Sequence, residues 1–157
     1  MRERINQSMK EAMKSGDKKR LSTLRLVNAA IKDRDIAARA DDKGQATGED
    51  KISDAEILAL LQKMIKQRRD SAATYRQGNR EDLAESEEAE IAIIEEFLPQ
   101  QMSEDEVREA VKSVIEETGC GGLKDMGKVM GALKQRYTGT MDFGKASSMV
   151  KEQLKDA

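Results

Sequence analysis

The sequence predicts an all-α protein of two helical domains, residues 1–98 and 103–157. Three observations carry this. No segment alternates apolar and polar residues as a half-buried strand would. Proline occurs once in 157 residues, at Pro99. Apolar residues instead recur three and four apart along most of the chain, between residues that start and stop helices.

The first helix covers about residues 2–15, with Ile5, Met9 and Met13 spaced by four as its apolar stripe. Gly16 stops it, and Asp17 is placed to cap the second. That second helix runs to about residue 40, with Leu21, Leu24, Val27, Asn28, Ile31, Asp35 and Ala38 on one stripe. Residues 41–51, DDKGQATGEDK, are polar, hold two glycines and show no period, so a mobile loop is expected there.

Ser53 and Glu56 have capping-box spacing and open the third helix. Its stripe is Ile57, Leu60, Leu61, Met64, Arg68, Ala72 and Tyr75. Gly78 is expected at C′, reversing the chain near Gly78 and Asn79. The fourth helix, about 81–97, turns Leu83, Ala84, Glu87, Ile91, Ile94 and Leu98 to one side. Pro99 closes it, because the residue before proline avoids the α region. The domain boundary is set at 98–103. Ser103 and Glu106 repeat the capping-box spacing for a fifth helix at 104–118, which GCGG at 119–122 ends. A sixth spans 123–137, a turn containing Gly139 follows, and a last helix covers about 142–155. The 55 or so residues of the second domain suffice for three short helices.

Composition narrows the function classes. The chain is 37% charged and 38% hydrophobic with a mean hydropathy of −0.73. No apolar run approaches the ~18 residues of a membrane helix. The N-terminus is amphipathic, with no secretory pattern, and cytoplasm is the compartment expected by default. A single cysteine, Cys120, excludes an intramolecular disulfide framework. Without histidine, the commonest general base and a frequent zinc ligand are missing. Phosphate-loop, dinucleotide, nucleophile-elbow and kinase signatures are absent. No catalytic residue, metal site or cofactor is therefore expected; any chemistry would fall to carboxylates, lysines or a partner.

A net charge of −2 hides blocks. Residues 1–80 hold 19 Lys/Arg against 12 Asp/Glu, residues 81–117 hold 2 against 14, and residues 118–157 hold 7 against 4. A basic third helix beside an acidic fourth gives attraction across a hairpin. Remaining basic surface could meet nucleic acid, but the acidic block would repel DNA over much of the molecule, so contact should be local.

The sixth helix has the most telling pattern. Leu123, Met126, Val129, Met130, Leu133 and Tyr137 gather on one face, while Gly127 and Gly131 fall roughly opposite, among Lys124, Lys128, Lys134 and Gln135. Glycine inside a helix costs up to ~1 kcal/mol relative to alanine. Core packing does not need these two. A bare backbone flanked by ammonium groups suits a close anionic partner; another helix of this protein crossing there is the competing explanation.

Other constellations have structural explanations. Arg68 and Glu87 sit mid-stripe on the third and fourth helices and are nearly level about a Gly78 turn. A partly buried Arg68–Glu87 pair is expected to lock the hairpin register, with Asn28 or Tyr75 near enough to join. The tandem carboxylates Glu87-Glu88, Glu95-Glu96, Glu104-Asp105-Glu106 and Glu116-Glu117 point ~100° apart on a helix and do not converge on one metal. Met64, Met126 and Met130 fill cores, with a Met-rich peptide groove as the alternative. Cys120 is expected to be inert.

The residues RLSTLRLVNAAIKDRDI (20–36), ILALLQKMIKQRRDSAATY (57–75), GNREDLAESEEAEIAIIEEFLPQQMSEDEV (78–107) and DMGKVMGALK (125–134), followed by Gly139 and Asp142, resemble the GatB/YqeY family over nearly the whole chain. The likeness is to the free-standing YqeY-like members. It implies an all-helical protein in two parts, akin to the tail of GatB, a subunit of the amidotransferase that converts Glu- or Asp-charged tRNA using glutamine. In that family the tail helps hold tRNA, and its DMGKVMG motif falls on residues 125–131 here.

The combined expectation is an accessory protein presenting Lys124, Gly127, Lys128, Gly131 and Lys134 to an RNA backbone. The implied partners are tRNA and an aminoacyl-tRNA synthetase or amidotransferase component, with neither membrane nor DNA. Family descriptions also attach a carbon–nitrogen ligase activity with glutamine as amido-N-donor. Nothing in these 157 residues corresponds to the catalytic domain or the glutaminase that such chemistry uses. A protein-interaction module without RNA is the third possibility.

Overall fold

The structure, a computed structural model, describes residues 1–40, 43–46, 48 and 51–156. Those residues form seven α-helices: α1 (Arg2–Ser15), α2 (Lys18–Ala38), α3 (Asp54–Gln77), α4 (Glu81–Glu95), α5 (Glu104–Thr118), α6 (Met126–Tyr137) and α7 (Phe143–Asp156). A single 3-10 turn, Leu123–Asp125, precedes α6. The only β pairing among the described residues is an isolated bridge between Ala40 and Ala46. The expected mobile loop at 41–51 lies half outside the described residues. The chain divides into two compact units, Met1–Leu98 and Pro99–Ala157.

In the first unit α3 and α4 form an antiparallel hairpin, α2 packs on both, and α1 packs on α2. Leu24, Val27 and Ile31 of α2 meet Ile57, Leu61 and Ile65 of α3 and Ile91 and Ile94 of α4, with Ile5 from α1. The α1 stripe differs from expectation. Ile5 is buried and Met9 partly buried, but Met13 is exposed and Ala12 takes the buried place. The 3.6-residue period swings a strict i+4 stripe off the core after two turns.

Caps define the boundaries. Gly16 ends α1 in the left-handed region at φ 73°, and the Asp17 carboxylate accepts from the Arg20 N–H at 3.1 Å. Both capping boxes form, Ser53 with Glu56 and Ser103 with Glu106. The hairpin turn departs from expectation. Gly78 is not left-handed; Asn79 is, at φ 59°. The Arg80 N–H donates to the Tyr75 carbonyl at 2.8 Å and the Asn79 N–H to the Arg76 carbonyl at 3.1 Å. These two bonds make a Schellman motif with Asn79 at C′.

In the second unit α5, α6 and α7 pack against one another around Val111, Val114, Val129, Leu133, Met141, Ala146, Val150 and Leu154. The incoming segment is pinned to the α6–α7 turn: Met102 N–H donates to the Thr140 carbonyl at 2.9 Å and the Gln101 amide to the Gly139 carbonyl at 2.7 Å. Asp142 caps α7, accepting from the Gly144 and Lys145 N–H groups at 2.9 and 3.3 Å.

Candidate functional site

The expected sixth helix is two pieces. Gly122 enters at φ 82°, and the Asp125 carboxylate accepts from the Gly121 N–H at 3.1 Å. This ties down a 3-10 turn holding Leu123 and Lys124 before α6 begins at Met126. Val129 and Leu133 are fully buried against α5 and α7, with Met126, Met130, Ala132 and Tyr137 packed around them. Helical periodicity then leaves Gly127, Lys128, Gly131 and Lys134 within roughly 120° on the outward side, with Lys124 exposed in the turn before them.

Gly127 and Gly131 are exposed, and a Cβ added at either would meet nothing within 4 Å. No helix of the second unit crosses there. Lys124, Lys128 and Lys134 are exposed, and none forms an ion pair among the described residues. Nearby cations differ: Arg136 pairs with Glu117 at 2.7 Å and Lys145 with Glu104 at 3.9 Å. The structure thus brings Gly127, Lys128, Gly131 and Lys134 onto one open face of α6 and leaves Lys124 exposed in the turn that leads into it, with Leu123 also 49% exposed there.

Cys120 is buried in the second unit's core, and its sulfur accepts from the Thr118 hydroxyl at 3.1 Å. That placement suits packing, not reactivity. The tandem carboxylates are exposed except Glu87, which is half-buried, and several are engaged in ion pairs: Glu88 with Arg76, Glu95 with Arg69, Glu96 with Arg20, Asp105 with Arg108.

The hairpin pair is corrected. Arg68 donates from Nε to Glu90 at 3.0 Å, not to Glu87, and the two side chains are 14% and 18% exposed. The pivot is Asn79, and positions 68 and 90 are equidistant from it. The Arg68 side chain also leans towards the start of α3, away from the turn, so it meets α4 beyond Glu87. Neither Asn28 nor Tyr75 hydrogen-bonds to the pair among the described residues. Lys19 joins instead, its ammonium 3.5 Å from Glu90 and 2.6 Å from the Ser86 hydroxyl.

The family profile described as "Yqey-like protein" matches residues 2–154. The chain belongs to this family. Three curated relatives are each called "Altered inheritance of mitochondria protein 41, mitochondrial". The protein of Pyrenophora tritici-repentis is 32% identical over 138 residues, 85% of this chain and 71% of the relative. Its counterpart in Vanderwaltozyma polyspora is 28% identical over 129 residues, 78% of this chain and 64% of the relative. That of Lachancea thermotolerans is 33% identical over 115 residues, 72% of this chain and 57% of the relative. The chain therefore spans 57% to 71% of the length of these relatives. Their names overturn the cytoplasmic expectation, which rested on the lack of any other address; the relatives are mitochondrial proteins by name.

One polar site of this Yqey-like chain escaped the sequence. Asp35, placed on the α2 core stripe, is 6% exposed. Arg2 grips it through Nη1 to Oδ2 at 2.8 Å and Nη2 to Oδ1 at 2.6 Å. Asp35 also accepts from the Ile52 N–H at 2.8 Å, and Arg2 donates to the Ile52 carbonyl at 3.2 Å. The Arg2 bonds outweigh the cost of burial and hold the Asp35 carboxyl at about 2. A carboxylate on a core stripe needs a cation. With 19 basic residues in the first 80, the sequence could not say which.

Proposed function

We propose that this Yqey-like protein is an accessory factor that contacts an RNA backbone, tRNA in the first instance, through the outward face of α6. The observation that carries this is the open pair Gly127 and Gly131 beside three lysines that form no ion pair among the described residues. The glycines let a phosphate approach the helix backbone, and Lys124, Lys128 and Lys134 supply charge. The resemblance of residues 125–131 to the motif in the tRNA-holding tail of GatB supports the same partner. About three phosphate contacts give modest affinity and a log–log salt slope of roughly −2 to −3.

The test is a salt titration of tRNA binding by the wild-type chain and by the Lys124→Glu/Lys128→Glu double variant. The expected result is a large loss of binding and a shallower slope in the variant. Unchanged binding would remove α6 as the contact.

A protein partner on the same face is favoured by one observation, the exposed Leu123. Pull-downs with and without ribonuclease separate the two. The remaining alternative, a carbon–nitrogen ligase component with glutamine as nitrogen donor, predicts ATP- and glutamine-dependent amidation by the purified chain; none is expected.

A further inference from the structure

A second surface is unexplained by that reading. We infer that the outward face of α2 docks an acidic amphipathic helix of another protein. Lys18, Arg25, Lys32 and Arg39 recur every seven residues, and Ser22, Ala29 and Ile36 interleave with them. All seven are exposed, and none of the four cations forms an ion pair among the described residues. The arginines of the α3–α4 hairpin differ: Arg68, Arg69, Arg76 and Arg80 are all paired with carboxylates, while the exposed Lys63 and Lys66 of α3 form no ion pair among the described residues. Burial explains the opposite side of α2, which carries Leu24, Val27 and Ile31. It does not explain this one.

Alternating steps of four and three residues trace a seam that a second helix can follow, with like positions ~10.5 Å apart. Ser22 and Ala29 are small enough to admit a neighbouring backbone. The long cations can lie over a partner helix and place their charges on its flanking acids. Ile36 on that seam and Leu26 beside it, 60% and 47% exposed, add apolar contacts. An RNA strand would use the cations but leave these two without apolar partners. A lipid surface would want a broader apolar face than this. Asp33 is the one acidic residue on the flank, with Arg34 beside it. A second copy of this chain offers Glu81, Glu88 and Glu95 at the same interval, but Arg76 and Arg69 already hold them. The fitting occupant is an acidic helix from a different chain.

The test uses the full chain and a labelled four-heptad peptide with Leu at a and d and Glu at e and g, whose self-pairing is opposed by like charge. A matching peptide with Lys in place of Glu and a tRNA are run beside it, and anisotropy is read at low and high salt. The Glu peptide should bind in a salt-sensitive way, and the Lys peptide should not. Arg25→Glu/Lys32→Glu should weaken binding about tenfold or more, and Ile36→Ser should weaken it less, both with wild-type helicity. Equal binding of the two peptides, no binding, or indifference to the charge reversal would overturn the inference. So would tRNA affinity that falls with this reversal in the absence of peptide binding, or wild-type self-association that the reversal abolishes.

Discussion

Arg2 and Asp35 meet through two parallel hydrogen bonds of 2.8 and 2.6 Å, joining the first turn of α1 to the last turns of α2. Through Ile52 the same pair fixes the residues that lead into α3. Three segments distant in sequence are thus held at one nearly dry carboxylate.

Removing that carboxylate should be costly. Asp35→Ala leaves the Arg2 guanidinium and the Ile52 N–H without their acceptor and should destabilise the first unit by about 2–3 kcal/mol. Acid should have a related effect. The folded pKa, about 2, lies below the ordinary aspartate value of ~3.9. The stabilisation is therefore full above about pH 4 and is lost as pH falls towards 2. Denaturant melts at pH 6 and pH 2.5 should show the gap between wild type and Asp35→Asn shrinking in acid; a constant gap would mean that the pair does not stabilise the fold.

Glu90, not Glu87, should matter to the hairpin. Glu90→Gln removes the partner of both Arg68 and Lys19 and should cost about 1–2 kcal/mol. Glu87→Gln should stay within about 0.5 kcal/mol. Equal effects in chemical denaturation would contradict the register described.

Thr23 is fully buried, and among the described residues its hydroxyl finds no partner. The near-isosteric Thr23→Val removes an unsatisfied polar atom without opening a cavity. It should stabilise by about 1 kcal/mol, read as a raised Tm.

Asn79 should tolerate glycine and reject β-branched residues. Its φ of 59° costs an ordinary side chain about 1–2 kcal/mol, so Asn79→Val should lose that much while Asn79→Gly is near neutral. Thermal melts of the two variants decide this.

Gly127→Ala and Gly131→Ala should trade binding for stability. Both sites are helical, and an added methyl meets nothing, so each change should stabilise by about 0.5–1 kcal/mol. If the backbone there touches phosphate, tRNA affinity should fall in the same variants. Stabilisation with unaltered affinity would separate the glycines from the contact.

The all-α class, both capping boxes, the Gly16 and GCGG stops and the outward aim of Gly127 and Gly131 were legible because each depends on residues within a few positions of one another. Periodicity over one or two turns places a face, and a cap needs only its neighbours three residues on. Tertiary structure alone decided what depends on register and on distant partners. It put the left-handed residue at Asn79 instead of Gly78, and so gave Arg68 to Glu90. Arg2 rather than another cation went to Asp35 for the same kind of reason, and Lys124, Lys128 and Lys134 were left without acids among the described residues while Arg136 found one. A charge on a helix has many eligible opposites within the sequence, and only the packed arrangement of the helices selects among them.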